Sequence, residues 1–137
     1  MTPRKAILDT NIYVGWLNQG RFADLMVGRG LLRLLSSVVR MELAVGATTQ
    51  RSRRALAQLV RGYDAGDRLA NPSPEVFERS GWTLARLKAR GLDIRRASLV
   101  HDVLIAQTAR SIGATVYTAD RDFEQIRSTD DFALMVV

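Results

Sequence analysis

Cysteine is absent, so neither disulfides nor thiolate metal sites are available to this chain. Its absence is compatible with a reducing cytoplasm, the expected location. Histidine occurs once, at His101, and lysine twice, at Lys5 and Lys88. Long apolar runs are also missing. The longest hydrophobic region, GLLRLLSSVVRMELAVGA, is interrupted by Arg33, Arg40 and Glu42, so no membrane span is expected. No apolar stretch follows the basic residues of the N-terminus, and no signal peptide is expected. Repeats, a linker and low-complexity tracts are lacking, so one domain is expected over residues 1–137.

What is present is an ordinary globular composition, 47% apolar and 25% charged. The net charge is +6, and 18 of the 20 basic residues are arginine. A basic excess suggests a polyanionic partner, and arginine suits forked contacts to phosphate. A GC-rich coding sequence would give the same arginine preference.

Apolar patterning and punctuation predict alternating strands and helices. Lys5–Leu8 reads as a first strand and Asn11–Asn18 as a helix ending near Gly20. LLRLLSS (31–37) reads as a second strand, and Ser36 or Ser37 can cap a helix over Val38–Gly46. QRSRRALAQLVRGY is helical by composition, with Gly62 as its expected stop. A short strand near Arg68–Ala70 precedes NPSP, which opens a long helix over Pro74–Arg90 ended by Gly91. Ser98 is the expected cap of the next helix, which Gly113 ends. ATVYT (114–118) is a strand, RDFEQI a helical turn and FALMVV (132–137) a last strand. Such alternation predicts an α/β fold, a parallel sheet with helices on both faces. Sites in such sheets form where the carboxyl ends of strands meet helix starts.

Several acids fall at those junctions. In KAILDTN, an apolar strand runs straight into Asp9, a costly end for a buried strand unless something compensates it. Glu42 lies early in the helix after the second strand, Asp102 early in the helix expected from Ser98, and Asp120 and Asp122 follow ATVYT. Singly, each has a plain role. Asp9 suits a helix N-cap, Glu42 an acid near a helix start, and Asp120 and Asp122 a turn. Asp102, in a mostly apolar helix, is harder to explain that way. Together they are more telling. Two carboxylates about 5 Å apart repel by roughly 3 kcal/mol at an effective dielectric of ~20, and four make six such pairs. Neither lysine lies near them in sequence, so a divalent cation is the natural counter-charge. Hard oxygen donors without cysteine point to Mg²⁺ or Mn²⁺. Such an ion lowers the pKa of a bound water and stabilises charge on an attacked phosphate. With Asp9, Glu42, Asp102 and Asp120 set aside, the other charged residues sum to +10. An acidic pit in a basic surround suits a metal nuclease.

ILDTN, SSVVRMELAVGA, HDVLIAQTARSIGATVYTADRDF and a short last strand, in this order, resemble the PIN-domain family. Within it they are most similar to the small VapC-type toxins of bacterial toxin–antitoxin pairs. The resemblance spans the chain. It implies a three-layer α/β/α fold with a central, mainly parallel sheet of four to five strands. It also implies Mg²⁺- or Mn²⁺-dependent endoribonuclease activity on single-stranded or structured RNA. The acidic quartet carries over to Asp9, Glu42, Asp102 and Asp120, with Asp122 as a further ligand. Asn11 and Thr118 carry over as polar residues that orient the carboxylates or a water, and Phe123 as an aromatic beneath the last acidic turn. A homodimer and a cognate antitoxin covering or filling the acidic pocket are implied as partners.

On this reading Asp9, Asp102 and Asp120 hold one or two ions, while Glu42 orients the attacking water or completes a second site. Cleavage leaves 5′-phosphate and 3′-hydroxyl ends. For His101 a general base, a substrate contact and a packing role all stay open. It and Asp102 point about 100° apart on a helix, so both cannot face one ion squarely. Arg95 and Arg96 are candidate phosphate contacts, whereas Arg51, Arg53, Arg54 and Arg61 read as a solvated face. Trp16 and Trp82 read as packing or partner contacts rather than base-stacking platforms. Two other classes compete. A PIN fold can grip RNA or a protein without cutting. A Mg²⁺-dependent phosphatase or receiver fits poorly, because Asn11 stands where the phosphatase wants a second acid and no lysine follows Lys88.

Overall fold

A computed structural model describes residues 2–137. Five strands form one sheet in the order β3-β2-β1-β4-β5, and every neighbouring pair is parallel. They are β1 (Arg4–Leu8), β2 (Leu31–Ser36), β3 (Leu69–Ala70), β4 (Thr115–Thr118) and β5 (Leu134–Val136). β1 is central, and its Ala6, Ile7 and Leu8 are fully buried. Seven helices connect the strands: α1 (Thr10–Gln19), α2 (Ala23–Val27), α3 (Ser37–Gly46), α4 (Gln50–Ala65), α5 (Pro74–Ala89), α6 (Ala97–Ile112) and α7 (Phe123–Thr129).

The topology fixes the layers. The chain steps from β1 outward through β2 to β3, then crosses back to β4 and β5 on the other side of β1. Right-handed crossovers then put α1–α4 on one face and α5–α7 on the other. This is the expected α/β/α architecture, with the full five strands. The connection order reverses between β1 and β4, which makes their carboxyl ends the switch point. Asp9 follows one and Ala119–Asp122 the other.

Local chemistry sets the element ends. Asp9 caps α1 by accepting from the Thr10 N–H, and Gly20 ends it at φ 66°, a left-handed conformation that glycine adopts without strain. Ser36 caps α3 through the Val38 and Val39 N–H groups, and Ser73 caps α5 ahead of Pro74.

Four expectations need correction. α4 passes through Gly62 to Ala65 because Tyr63 is buried and its phenol meets that of Tyr13 at 2.9 Å, an anchor that outweighs glycine's helix cost of about 1 kcal/mol. Ser98 does not cap α6. Arg96 occupies the cap position without a side-chain bond, and Ser98 lies inside the helix. α2 was not anticipated. It is a five-residue helix entered through Phe22 at φ 62° and held from below by Arg33, which donates to the Leu25 and Gly28 carbonyls. β5 is shorter than FALMVV, because Phe132 turns inward to pack edge-on against Phe123 instead of extending the strand.

Candidate active site

The site is built outward from Asp9. Its backbone N–H donates to the Tyr117 carbonyl at 2.9 Å, tying the tip of β1 to β4. Its side chain is only 6% exposed, so its oxygens need partners. Oδ1 accepts from the Thr10 N–H at 2.8 Å. Oδ2 accepts from the Thr118 hydroxyl at 2.7 Å and from the Asn11 amide at 3.2 Å. The helix cap and the polar site are therefore the same carboxylate.

Thr118 and Asn11 each make a second contact. The Thr118 oxygen also accepts from the Asp120 N–H at 3.0 Å, and the Asn11 oxygen accepts from the Ala119 N–H at 3.1 Å. Together they fasten the turn after β4 to the end of β1. Asp120 Oδ1 accepts from the Asp122 N–H at 2.9 Å, so Asp120 organises the entry to α7. Asp122 is exposed at that entry, and Phe123 is fully buried below it.

Glu42 arrives from α3. Its Oε1 accepts from the Thr10 hydroxyl at 2.7 Å, and its Oε2 lies 3.3 Å from His101 Nδ1 on α6. α3 and α6 belong to opposite helical layers, and this contact joins them past the sheet edge. Thr10 went unnoticed from sequence. The only signal for it was a hydroxyl between two polar residues already singled out.

Electrostatics tie the acids together. Burial, then the charges of Asp9, Asp120, Glu42 and Asp122 in that order, push the Asp102 carboxyl up to about 8. Every one of these influences raises it. Asp9 is also raised, chiefly by burial and further by Glu42 and Asp120, against the opposing hydrogen bonds from Thr118 and Thr10. The carboxylates share a field but not a coordination shell. Among the described residues, no three Asp, Glu or His side chains are placed closely enough to hold one ion. The donor set nevertheless fits a hard divalent cation: it is almost wholly oxygen, and four acidic neighbours act on Asp102.

The other candidates lie further out. Arg95 forks onto Asp93, with Nε to Oδ1 at 2.9 Å and Nη2 to Oδ2 at 3.2 Å, so its guanidinium is already engaged. Arg96 is exposed at the start of α6. Trp82 is exposed on α5, and Trp16 is half-buried on α1.

The PIN domain family model matches residues 6–128. The chain belongs to the PIN domain family. That membership displaces the phosphatase and receiver alternatives. Three solved structures show how fully this PIN domain shares its fold. VapBC2 from Rickettsia felis, bound to a DNA fragment from its promoter, is 21% identical, with 97% of this chain and 98% of that one covered at a TM-score of 0.73. VapBC-1 from nontypeable Haemophilus influenzae is 23% identical over 96% and 97%, at 0.71. VapBC-5 from Mycobacterium tuberculosis, a member of the VapBC family of toxin–antitoxin systems, is 21% identical over 98% and 100%, at 0.69. No curated protein matches the chain in sequence. Among the described residues, no helix of this PIN domain is long and apolar enough to cross a membrane.

Proposed function

We propose that this PIN domain is a metal-dependent endoribonuclease and the toxin of a toxin–antitoxin pair, acting in the cytoplasm. The observation that carries the proposal is the polar web where β1 and β4 end, in which Thr118, Asn11 and Thr10 fix Asp9 and Glu42, and beside which burial and these acids push up the Asp102 carboxyl. Such a group is held at a cost unless a cation completes it. Asp9, Asp102 and Asp120, whose side chains stand apart in the fold, would draw together to hold Mg²⁺ or Mn²⁺, with Asp122 at the margin. When bound, the ion supplies electrostatic stabilisation of the charge that builds on the phosphate.

The remaining chemistry belongs to side chains. Thr118, Asn11 and the Thr10 N–H fix the Asp9 carboxylate in one orientation. Glu42 accepts a hydrogen bond from the attacking water and aims it in line with the scissile bond. The water oxygen bonds to phosphorus, the P–O3′ bond breaks, and the water's proton goes to solvent through Glu42 while the departing 3′ oxygen takes one up. The products are 5′-phosphate and 3′-hydroxyl ends. Basic residues outside the pit, Arg96 among them, attract the RNA backbone.

The partner reading has its own support. Val14 and Leu17 on α1 are exposed apolar residues that line a groove with Glu42, and Met41 and Val45 are exposed on the same helix as Glu42. They offer an antitoxin an apolar footing next to the acids. The PIN relatives above are VapBC toxin–antitoxin structures, which favours that occupant. A homodimer is part of the same reading.

The test is end-mapping of RNA cut by the purified protein with Mn²⁺, with EDTA, and by Asp102→Asn. Manganese-dependent 5′-phosphate ends, lost in the variant, support the reading. Undiminished cutting in EDTA, or 2′,3′-cyclic phosphate, overturns the mechanism. Metal-dependent RNA binding with no cleavage establishes the non-cutting module instead.

A further inference from the structure

Glu42 is grasped on both carboxylate oxygens by side chains from other parts of the fold. Thr10 reaches Oε1 at 2.7 Å from the first turn of α1, and His101 faces Oε2 at 3.3 Å from α6. Thr10 holds two acids at once, because its backbone N–H is committed to Asp9 Oδ1 at 2.8 Å while its hydroxyl serves Glu42. His101 and Asp102 are successive residues about 100° apart around α6. One therefore turns toward Glu42 while the other sits in the field of the acid cluster.

We infer that Thr10 and His101 are positioning residues that hold Glu42 as an acceptor for the attacking water, outside the set of direct metal ligands. The inference rests on the nuclease reading and assigns roles within it. Because His101 and Asp102 leave α6 about 100° apart, the carboxylate that meets His101 stands to one side of the direction Asp102 takes. Glu42 is fixed there from two sides, by a hydroxyl donor and, in the Nδ1–H tautomer, a ring N–H donor. A carboxylate has about four lone-pair sites, so two donors leave it able to accept from a water. Asp9, by contrast, is fixed from the sheet edge itself, through β4 and the start of α1. The role given to His101 requires no change in its charge, only its donor.

Three measurements on the full chain test this. Mn²⁺ affinity, read as free Mn²⁺ by electron paramagnetic resonance, should fall at least tenfold in Asp102→Asn but stay within about twofold of wild type in Glu42→Gln. Thr10→Val and His101→Ala should each lower kcat roughly 10–100-fold, the usual scale for outer-shell partners, with KM and Mn²⁺ affinity held. Thr10→Ser and His101→Gln, which keep a donor and guard against misfolding, should recover most of that loss. In a Glu42→Gln background, adding His101→Ala should lower kcat no further, because the residue acts through Glu42. The inference is overturned if Glu42→Gln loses Mn²⁺ as Asp102→Asn does, or if the His101→Ala deficit persists in full without Glu42. The manganese arm reads the placement of Glu42 whether or not RNA is cut. Failure of the nuclease reading appears separately, as a wild-type protein that binds Mn²⁺ but leaves RNA whole.

Discussion

The Thr118 hydroxyl donates to Asp9 Oδ2 at 2.7 Å, joining residues 109 positions apart. The same oxygen accepts from the Asp120 N–H and lies 3.3 Å from the Asn11 amide nitrogen. Thr118→Val keeps the shape and removes all three. A buried carboxylate then loses a donor and a backbone N–H loses its acceptor, at a cost of about 1–3 kcal/mol. Urea unfolding should show that loss, with little change for Thr118→Ser.

Asp102 sets a pH dependence in the metal-free protein. Its carboxyl ionises near 3.8 in the unfolded chain and at about 8 in the fold. Between those values the folded state binds the extra proton, so stability falls as pH rises through the window. Asp9 is shifted in the same direction and adds to the trend. In EDTA the melting temperature should be higher at pH 6 than at pH 8, and Asp102→Asn should flatten the difference. Mn²⁺ needs the ionised form, so its affinity should climb toward pH 8 and level off above it.

Asp130 behaves in the opposite sense. Burial works to raise its carboxyl, but hydrogen bonds from Thr83 and Gln107 and the charges of Arg110 and Arg86 outweigh it and hold it below the usual range. The contacts are short: Gln107 Nε2 at 2.7 Å, Thr83 Oγ1 and Arg86 Nη2 at 2.9 Å, and Arg110 Nη1 at 2.6 Å. This stabilisation is complete above the unfolded pKa and is lost as pH falls through the lower, folded one. Asp130→Ala should destabilise by about 1–2 kcal/mol, chiefly because the buried Gln107 amide and Thr83 hydroxyl lose an acceptor while the half-exposed Arg86 and Arg110 turn to water, and it should blunt acid unfolding. Scanning calorimetry at pH 3 and pH 7 separates this from a uniform loss.

The two arginines before α6 should not behave alike. Arg95 is forked onto Asp93, and Arg96 is not. Arg96→Glu should weaken RNA binding and flatten its salt dependence, while Arg95→Ala should alter both much less. Filter binding across a salt series distinguishes the two positions.

The strand-to-acid run at Asp9 was legible because a buried strand ending in a carboxylate is costly, and the cost pointed to an edge where helices begin. Glu42, Asp102 and Asp120 are candidates on a different ground, their places at helix starts or after a strand, and the alternation of strands and helices predicts the sheet. The misses share a cause: tertiary partners decided them. Gly62 stays helical because Tyr63 is anchored to Tyr13, far away in sequence. α2 forms with Arg33 beneath its carbonyls, a contact that no periodicity in five residues can announce. The link from Thr10 to Glu42 is likewise a pairing across 32 positions, invisible until the chain is folded. Asp130 had no local signal, because its partners come from α5 and α6.

The all-parallel sheet also orders events at the ribosome. β1 emerges early, but its neighbour β4 lies more than a hundred residues later, and no hairpin shortens that wait. Asp9 thus stands without Thr118 and Asp120 until β4 and the turn after it have been synthesised. β5 then flanks β4, and the Val137 N–H donates to the Thr118 carbonyl at 2.8 Å. A nascent chain that lacks β4 cannot bring Asp9 together with Thr118 and Asp120, so the acidic pit cannot form before β4 has left the ribosome.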